Sequence, residues 1–223
     1  MKSLSILSAL ALTAGLATTS FGQLYSEDFT GQNLKGVVGD GSAPTSDFGG
    51  VSWDVSGDLS GITATSDYFQ VQNEEMVIRD IDGAATWASP SFSVASESAV
   101  AVSIDLGASG DFEISNDSFN ILYSFDGGST TALFTGIVDE IAAGDPMTVN
   151  SIALSATLQT FSSSVATGGA TNMQIFVEAF NGAGSEFFYF DNVNVAVVPE
   201  PSALSLLVGF IGMSFVLIRR RRA

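Results

Sequence analysis

The sequence contains no cysteine and no histidine. The first absence excludes disulfide staples and thiol chemistry, so stability must come from buried apolar surface. The second removes Ser-His-Asp and Cys-His machinery, imidazole metal ligation and the commonest general base. Any catalysis would have to run on carboxylates, Tyr, Arg or Lys, and no catalytic motif assembles them, so a non-enzyme is expected. Basic residues are also scarce. Between Gln23 and Val198 only Lys35 and Arg79 are basic, while the 24 acids less Glu200 leave 23, a balance of −21. So acidic a surface repels nucleic acid and anionic lipid, which are not expected as partners, and it attracts cations, calcium above all.

The two ends differ from the middle. Residues 1–22 carry one cation at Lys2, an apolar run from Leu4 to Leu16, and small residues at Ser20 and Gly22. This is the pattern of a signal peptide, with signal peptidase as the partner and cleavage expected before Gln23. Residues 199–223 hold Pro199-Glu200-Pro201, a stretch from Ser202 to Ile218 without a charge, and the cluster Arg219, Arg220, Arg221, Arg222. At 1.5 Å per residue that stretch spans about 25 Å, the short end of a bilayer core. Its apolar residues cover every helix face, which indicates a transmembrane helix, and the Arg cluster fixes its end in the cytoplasm.

From Gln23 to Val198 no sustained helical period occurs, and alternation with period two recurs. Val100, Val102, Ile104 and Leu106 alternate with Ala101, Ser103 and Asp105; Phe119, Ile121, Tyr123 and Phe125 repeat the device, as do Met173, Ile175, Val177 and Ala179. Asp82-Gly83, Asp126-Gly127-Gly128 and Asn181-Gly182 supply turn chemistry between them. The expected fold is an all-β antiparallel sandwich of many short strands, with 31–50 and 162–171 as surface loops.

The tail, Pro199-Glu200-Pro201 followed by an apolar helix and an Arg cluster, resembles a PEP-CTERM sorting signal. That resemblance implies an exosortase as partner, with cleavage near the Pro-Glu-Pro. It also implies a Gram-negative host that makes exopolysaccharide, export across the inner membrane, a transient membrane anchor, and a final place at the cell surface or in the extracellular matrix. Gly110 to Gly128, and the ending Glu186 to Val195, are similar to jelly-roll, carbohydrate-binding-module-like sandwiches of bacterial secreted proteins. In such folds a structural calcium ties the first strand to the last, which implies Glu27 or Asp28 and Asp191 as ligands.

A second acidic group, Asp111, Glu113 and Asp117, is a further candidate metal site on one loop and strand start. Asp80-Ile81-Asp82-Gly83 begins like a calcium loop but lacks the remaining ligands and reads as a turn. Carbohydrate binding needs exposed rings; Trp53 and Tyr68 are the candidates for a glycan platform, whereas Trp87 reads as core. Three functions follow in order of expectation. The first is a non-catalytic structural or adhesive surface protein, the second a carbohydrate-binding module holding exopolysaccharide, the third a carboxylate-dependent glycan hydrolase or lyase.

Overall fold

The computed structural model describes residues 22–142 and 144–198. The expected signal peptide, apart from Gly22, and the sorting tail with Pro199, Glu200, Pro201, Arg219, Arg220, Arg221 and Arg222 lie outside the described residues. In chain order the strands are β1 (Gln23–Glu27), β2 (Gly36–Gly39), β3 (Pro44–Asp47), β4 (Asp54–Gly57), β5 (Tyr68–Gln72), β6 (Glu75–Arg79), β7 (Ala85–Ala88), β8 (Phe92–Ser93) and β9 (Ala99–Ser109). They continue with β10 (Ser118–Phe125), β11 (Thr131–Thr135), β12 (Ile137–Val138), β13 (Met147–Val149), β14 (Ile152–Ala153), β15 (Gln159–Ala166), β16 (Asn172–Phe180) and β17 (Phe187–Val197). No helix occurs among the described residues, so none there is long and apolar enough to cross a membrane.

All pairings are antiparallel. The larger sheet runs β15-β9-β17-β6-β5-β2-β3, with β1 also on β17; a second sheet runs β11-β10-β16-β7-β4, with β8 on β16; a small third sheet is β12-β13-β14. The alternation seen in the sequence sets which face each strand buries, because successive side chains point to opposite sides. In β9, Val100, Val102, Ile104 and Leu106 are fully buried; in β16, Met173, Ile175 and Val177 are. The two inner faces meet through aromatic contacts. Phe190 of β17 lies 5.4 Å from Trp87 of β7, edge on, and Phe188 stacks on Phe119 of β10 at 4.6 Å. Each such ring, withdrawn from water, contributes about 1.5–3 kcal/mol, which is how a chain without cysteine holds together.

Two segments expected as loops are in part strands. The 31–50 stretch holds β2 and β3, and β15 extends through Ala166. Their Gly, Ser and Thr residues suit edge positions: β3 and β15 end the larger sheet, and β3 is exposed along its whole length. On the central strand β17, pairing with β9 slips between Asp191 and Asn194, with Asn192 in the left-handed region at φ 51°. This bulge is also where β17 exchanges β6, its partner through Phe190, for β1, its partner from Val193.

Candidate functional site

Because Phe188 and Phe190 point inward, Phe187 and Tyr189 project from the opposite, outer face of the larger sheet, and both are half-buried. Their rings lie 6.0 Å apart and only 7° from parallel. Cross-strand register puts Arg79 beside Phe187 and Tyr68 beside Arg79. Directly opposed residues in a ladder share a face, so the four side chains form one patch. The Arg79 guanidinium stands 5.2 Å from the Phe187 centroid and its Nε donates to the Gly184 carbonyl at 2.9 Å. On the other flank the Tyr189 hydroxyl lies 3.2 Å from Ser109 Oγ. The patch therefore combines flat apolar rings, one fixed cation and hydroxyls. Tyr68, named from the sequence, lies on this patch; Phe187, Tyr189 and Arg79 were not named, because only strand pairing brings β5, β6 and β17 side by side.

Trp53 does not. Its side chain is 3% exposed and packs edge-on against Phe29 and Phe48 at 5.9 and 5.7 Å, with its Nε1 donating to Gln32 Oε1 at 2.7 Å. A ring sealed in this way offers no stacking surface, so the expectation of Trp53 as a platform is corrected to a core role. Trp87 is fully buried, as its sequence context indicated.

The next row of the same outer face is acidic. Asp191 pairs with Asp105, and Asn192 Nδ2 donates to both carboxylates, at 3.1 and 2.8 Å. Burial, with Asp105, Asp28 and Glu75 adding repulsion, pushes Asp191 up to about 6 despite a backbone hydrogen bond from Asn192. Its Oδ1 is buried without a hydrogen-bond partner. The structure thus gathers Asp191 and Asp28 into one electrostatic neighbourhood, and β1 does lie on β17, but Glu27 is spent elsewhere. Its Oε1 accepts the Phe29 N–H at 3.0 Å and the Gln32 amide at 2.7 Å. Asp28 caps the Thr30 N–H at 3.1 Å. The three acids implied as calcium ligands do not make a compact ligand set.

A compact set occurs at one end of the sandwich. Among the described residues, Glu113, Asp117 and Glu186 are the one trio of acids that each bring a carboxylate oxygen within 4.8 Å of the others'. Asp111, expected with the first two, is exposed and contributes charge near Glu113 without entering the trio. Phe112 positions the loop: it is buried and stacks on Phe188 at 5.2 Å. Glu186 arrives from the turn before β17 and packs on Gly110, where an added Cβ would sit 2.8 Å from the Glu186 Cγ and where φ is +148°. Asp117 Oδ2 accepts the Glu113 N–H at 2.6 Å, and Glu186 Oε2 accepts the Ala183 N–H at 3.1 Å. Burial and the neighbouring Asp117 push Glu186 up to about 7; a side-chain hydrogen bond with Asp117 and added repulsion raise Glu113.

No family model and no curated protein matches the chain. Among solved structures, it is similar to TmCBM61 in complex with β-1,4-galactotriose, at 13% identity over 66% of this chain and 88% of that one, with a TM-score of 0.37. It is similar to the xylan-binding module CBM15, at 13% identity over 68% and 94%, with a TM-score of 0.40. It is also similar to the K3 cleaved adhesin domain of Lys-gingipain from Porphyromonas gingivalis, at 10% identity over 78% and 98%, with a TM-score of 0.44. These likenesses are distant, and the all-β assignment rests on the strands and their pairing.

Proposed function

We propose that residues 23–198 form a non-catalytic domain that binds a neutral polysaccharide on the outer face of the larger sheet. The near-parallel pair Phe187 and Tyr189, flanked by Arg79 and Tyr68, carries this reading. Flat rings stack on the apolar faces of pyranose sugars, while a fixed guanidinium and phenol hydroxyls meet the equatorial hydroxyls at their edges. A chain with a net charge of −17 repels uronate-rich glycans, which favours neutral ones. The ring patch supports glycan binding over a purely structural or adhesive role. A glycan array probed with the purified chain tests the proposal. Binding confined to neutral polysaccharides is expected, and a blank array across neutral glycans contradicts it.

One observation favours a hydrolytic second reading. Asp105 and Asp191 are bridged by one amide beside the rings, and Asp191 is raised towards the range of a general acid. Product release from the bound glycan, abolished by Asp191→Asn, would promote this reading over the first.

The sorting route belongs to the proposal as well: signal-peptide removal before Gln23, then exosortase cleavage near Pro199, Glu200 and Pro201, delivering the domain to the cell surface or matrix. Intact mass of the protein recovered from a host with an exosortase checks this. The expected species lacks both end segments; one retaining Arg219 to Arg222 contradicts it.

A further inference from the structure

Two crossovers carry the chain between the facing sheets at the end where the acidic trio sits. Residues 110–117 lead from β9 in the larger sheet to β10 in the second, and residues 181–186 lead from β16 back to β17. Glu113 and Asp117 belong to the first crossover and Glu186 to the second. Among the described residues no basic side chain pairs with any of the three; the ion pair formed there is Lys35 with Asp47, at 2.8 Å.

Burial makes this arrangement unusual. Asp117 is 7% exposed and Glu186 1%. Asp117 commits Oδ2 to the Glu113 N–H, while its Oδ1 is buried with no partner and is left to the cluster. A buried carboxylate oxygen without a donor loses its hydration with nothing in return, and crowding two further carboxylates against it adds repulsion. Asp111 and Asp145 add charge around Glu113. A positive ligand among these oxygens resolves every one of these costs together.

We propose that Glu113, Asp117 and Glu186 form a binding site for a calcium-type divalent cation that ties the two inter-sheet crossovers together. Three carboxylates from two irregular connections suit a hard ion that accepts six to eight oxygens in variable geometry, with water completing the shell. A smaller ion demanding a rigid octahedron and holding its own waters suits them less. The cation performs the cross-linking that a chain without cysteine cannot obtain from disulfides. It also anchors the residue immediately before Phe187. The proposal does not depend on glycan binding.

The test is equilibrium dialysis of the purified full chain against radiolabelled calcium at pH 8, after chelator treatment, paired with thermal melting. The expected result is about one bound equivalent and a melting temperature that rises with calcium. Asp117→Asn and Glu186→Gln should each weaken binding about tenfold or more, because ligand charge sets affinity. Glu113→Gln, on an exposed side chain, should weaken it too, and it keeps the test valid if a buried variant fails to fold. Asp191→Asn should bind as the parent does. Absence of bound calcium in the parent overturns the proposal, as does unchanged binding in folded variants of the trio. Loss of binding in Asp191→Asn with retention in Glu113→Gln overturns it equally.

Discussion

The Arg79 guanidinium is held on two sides, by the Phe187 ring 5.2 Å away and by the Gly184 carbonyl at 2.9 Å from its Nε. It is one of two basic residues between Gln23 and Val198, and the other, Lys35, is engaged with Asp47. Among the described residues its other N–H groups make no hydrogen bond, so a cation fixed on the same face as two parallel rings can donate to hydroxyl groups.

Arg79→Ala is therefore expected to lower glycan affinity about tenfold, as loss of charge-assisted hydrogen bonds does, with the fold retained. Arg79→Lys should recover only part of it, since an ammonium keeps the charge without the planar fork. Affinity electrophoresis of the three proteins in polysaccharide gels reads this directly, and equal mobility shifts for all three would argue against a role for the guanidinium.

Stability should depend on pH in an uncommon direction when divalent cations are removed. Glu186 and Asp191 bind their protons more tightly folded than unfolded, at about 7 against 4.5 and about 6 against 3.8. Their contribution is present below about pH 4 and is lost as pH rises through 6 and 7. Asp40, Asp47, Asp58 and Asp126 are lowered by hydrogen bonds and act oppositely, losing their contribution as pH falls below the ordinary aspartate range. Melting temperature in chelator should therefore peak in mildly acidic solution and fall by several degrees towards pH 8. A flat profile from pH 5 to pH 8 would contradict the assigned shifts.

Gln32 links Trp53 to Glu27, accepting from the indole at 2.7 Å and donating to the carboxylate at 2.7 Å. Gln32→Ala leaves both partners short of a hydrogen bond in the interior and should cost about 1–3 kcal/mol in denaturant unfolding. Because the three residues form one network, Gln32→Ala and Glu27→Ala together should cost less than the sum of the two alone. Strict additivity would show that the network is not a unit.

What the sequence made legible follows from how local each signal is. The alternation of Val100, Val102, Ile104 and Leu106 states the burial of β9 outright, since period two is a property of one strand. Gly31 to Gly50 hid two strands because β2 is four residues long with a glycine at each end, and β3, at the sheet edge, is exposed throughout and carries no apolar pattern. The trio was half legible: Glu113 and Asp117 are four residues apart, but Glu186 joins them only through the meeting of two crossovers. The same applies to the ring patch, where Tyr68 and Phe187 come onto one row only by way of Arg79 on β6. Trp53 looked available because composition cannot tell a ring beside polar residues from one enclosed by Phe29 and Phe48.

The central claim is that the outer face of the larger sheet binds a neutral polysaccharide through Phe187 and Tyr189. Calorimetric titration of the best polysaccharide into the parent, Phe187→Ala, Tyr189→Ala and Phe176→Ala measures it, with Phe176 standing half-buried on the outer face of the opposite sheet. Stacking contacts are worth about 0.5–1.5 kcal/mol beyond area burial, so each platform variant should lose roughly three- to tenfold in affinity or more. The predicted result is loss in Phe187→Ala and Tyr189→Ala with Phe176→Ala unchanged; parent-like affinity in both platform variants, or loss confined to Phe176→Ala, would contradict it.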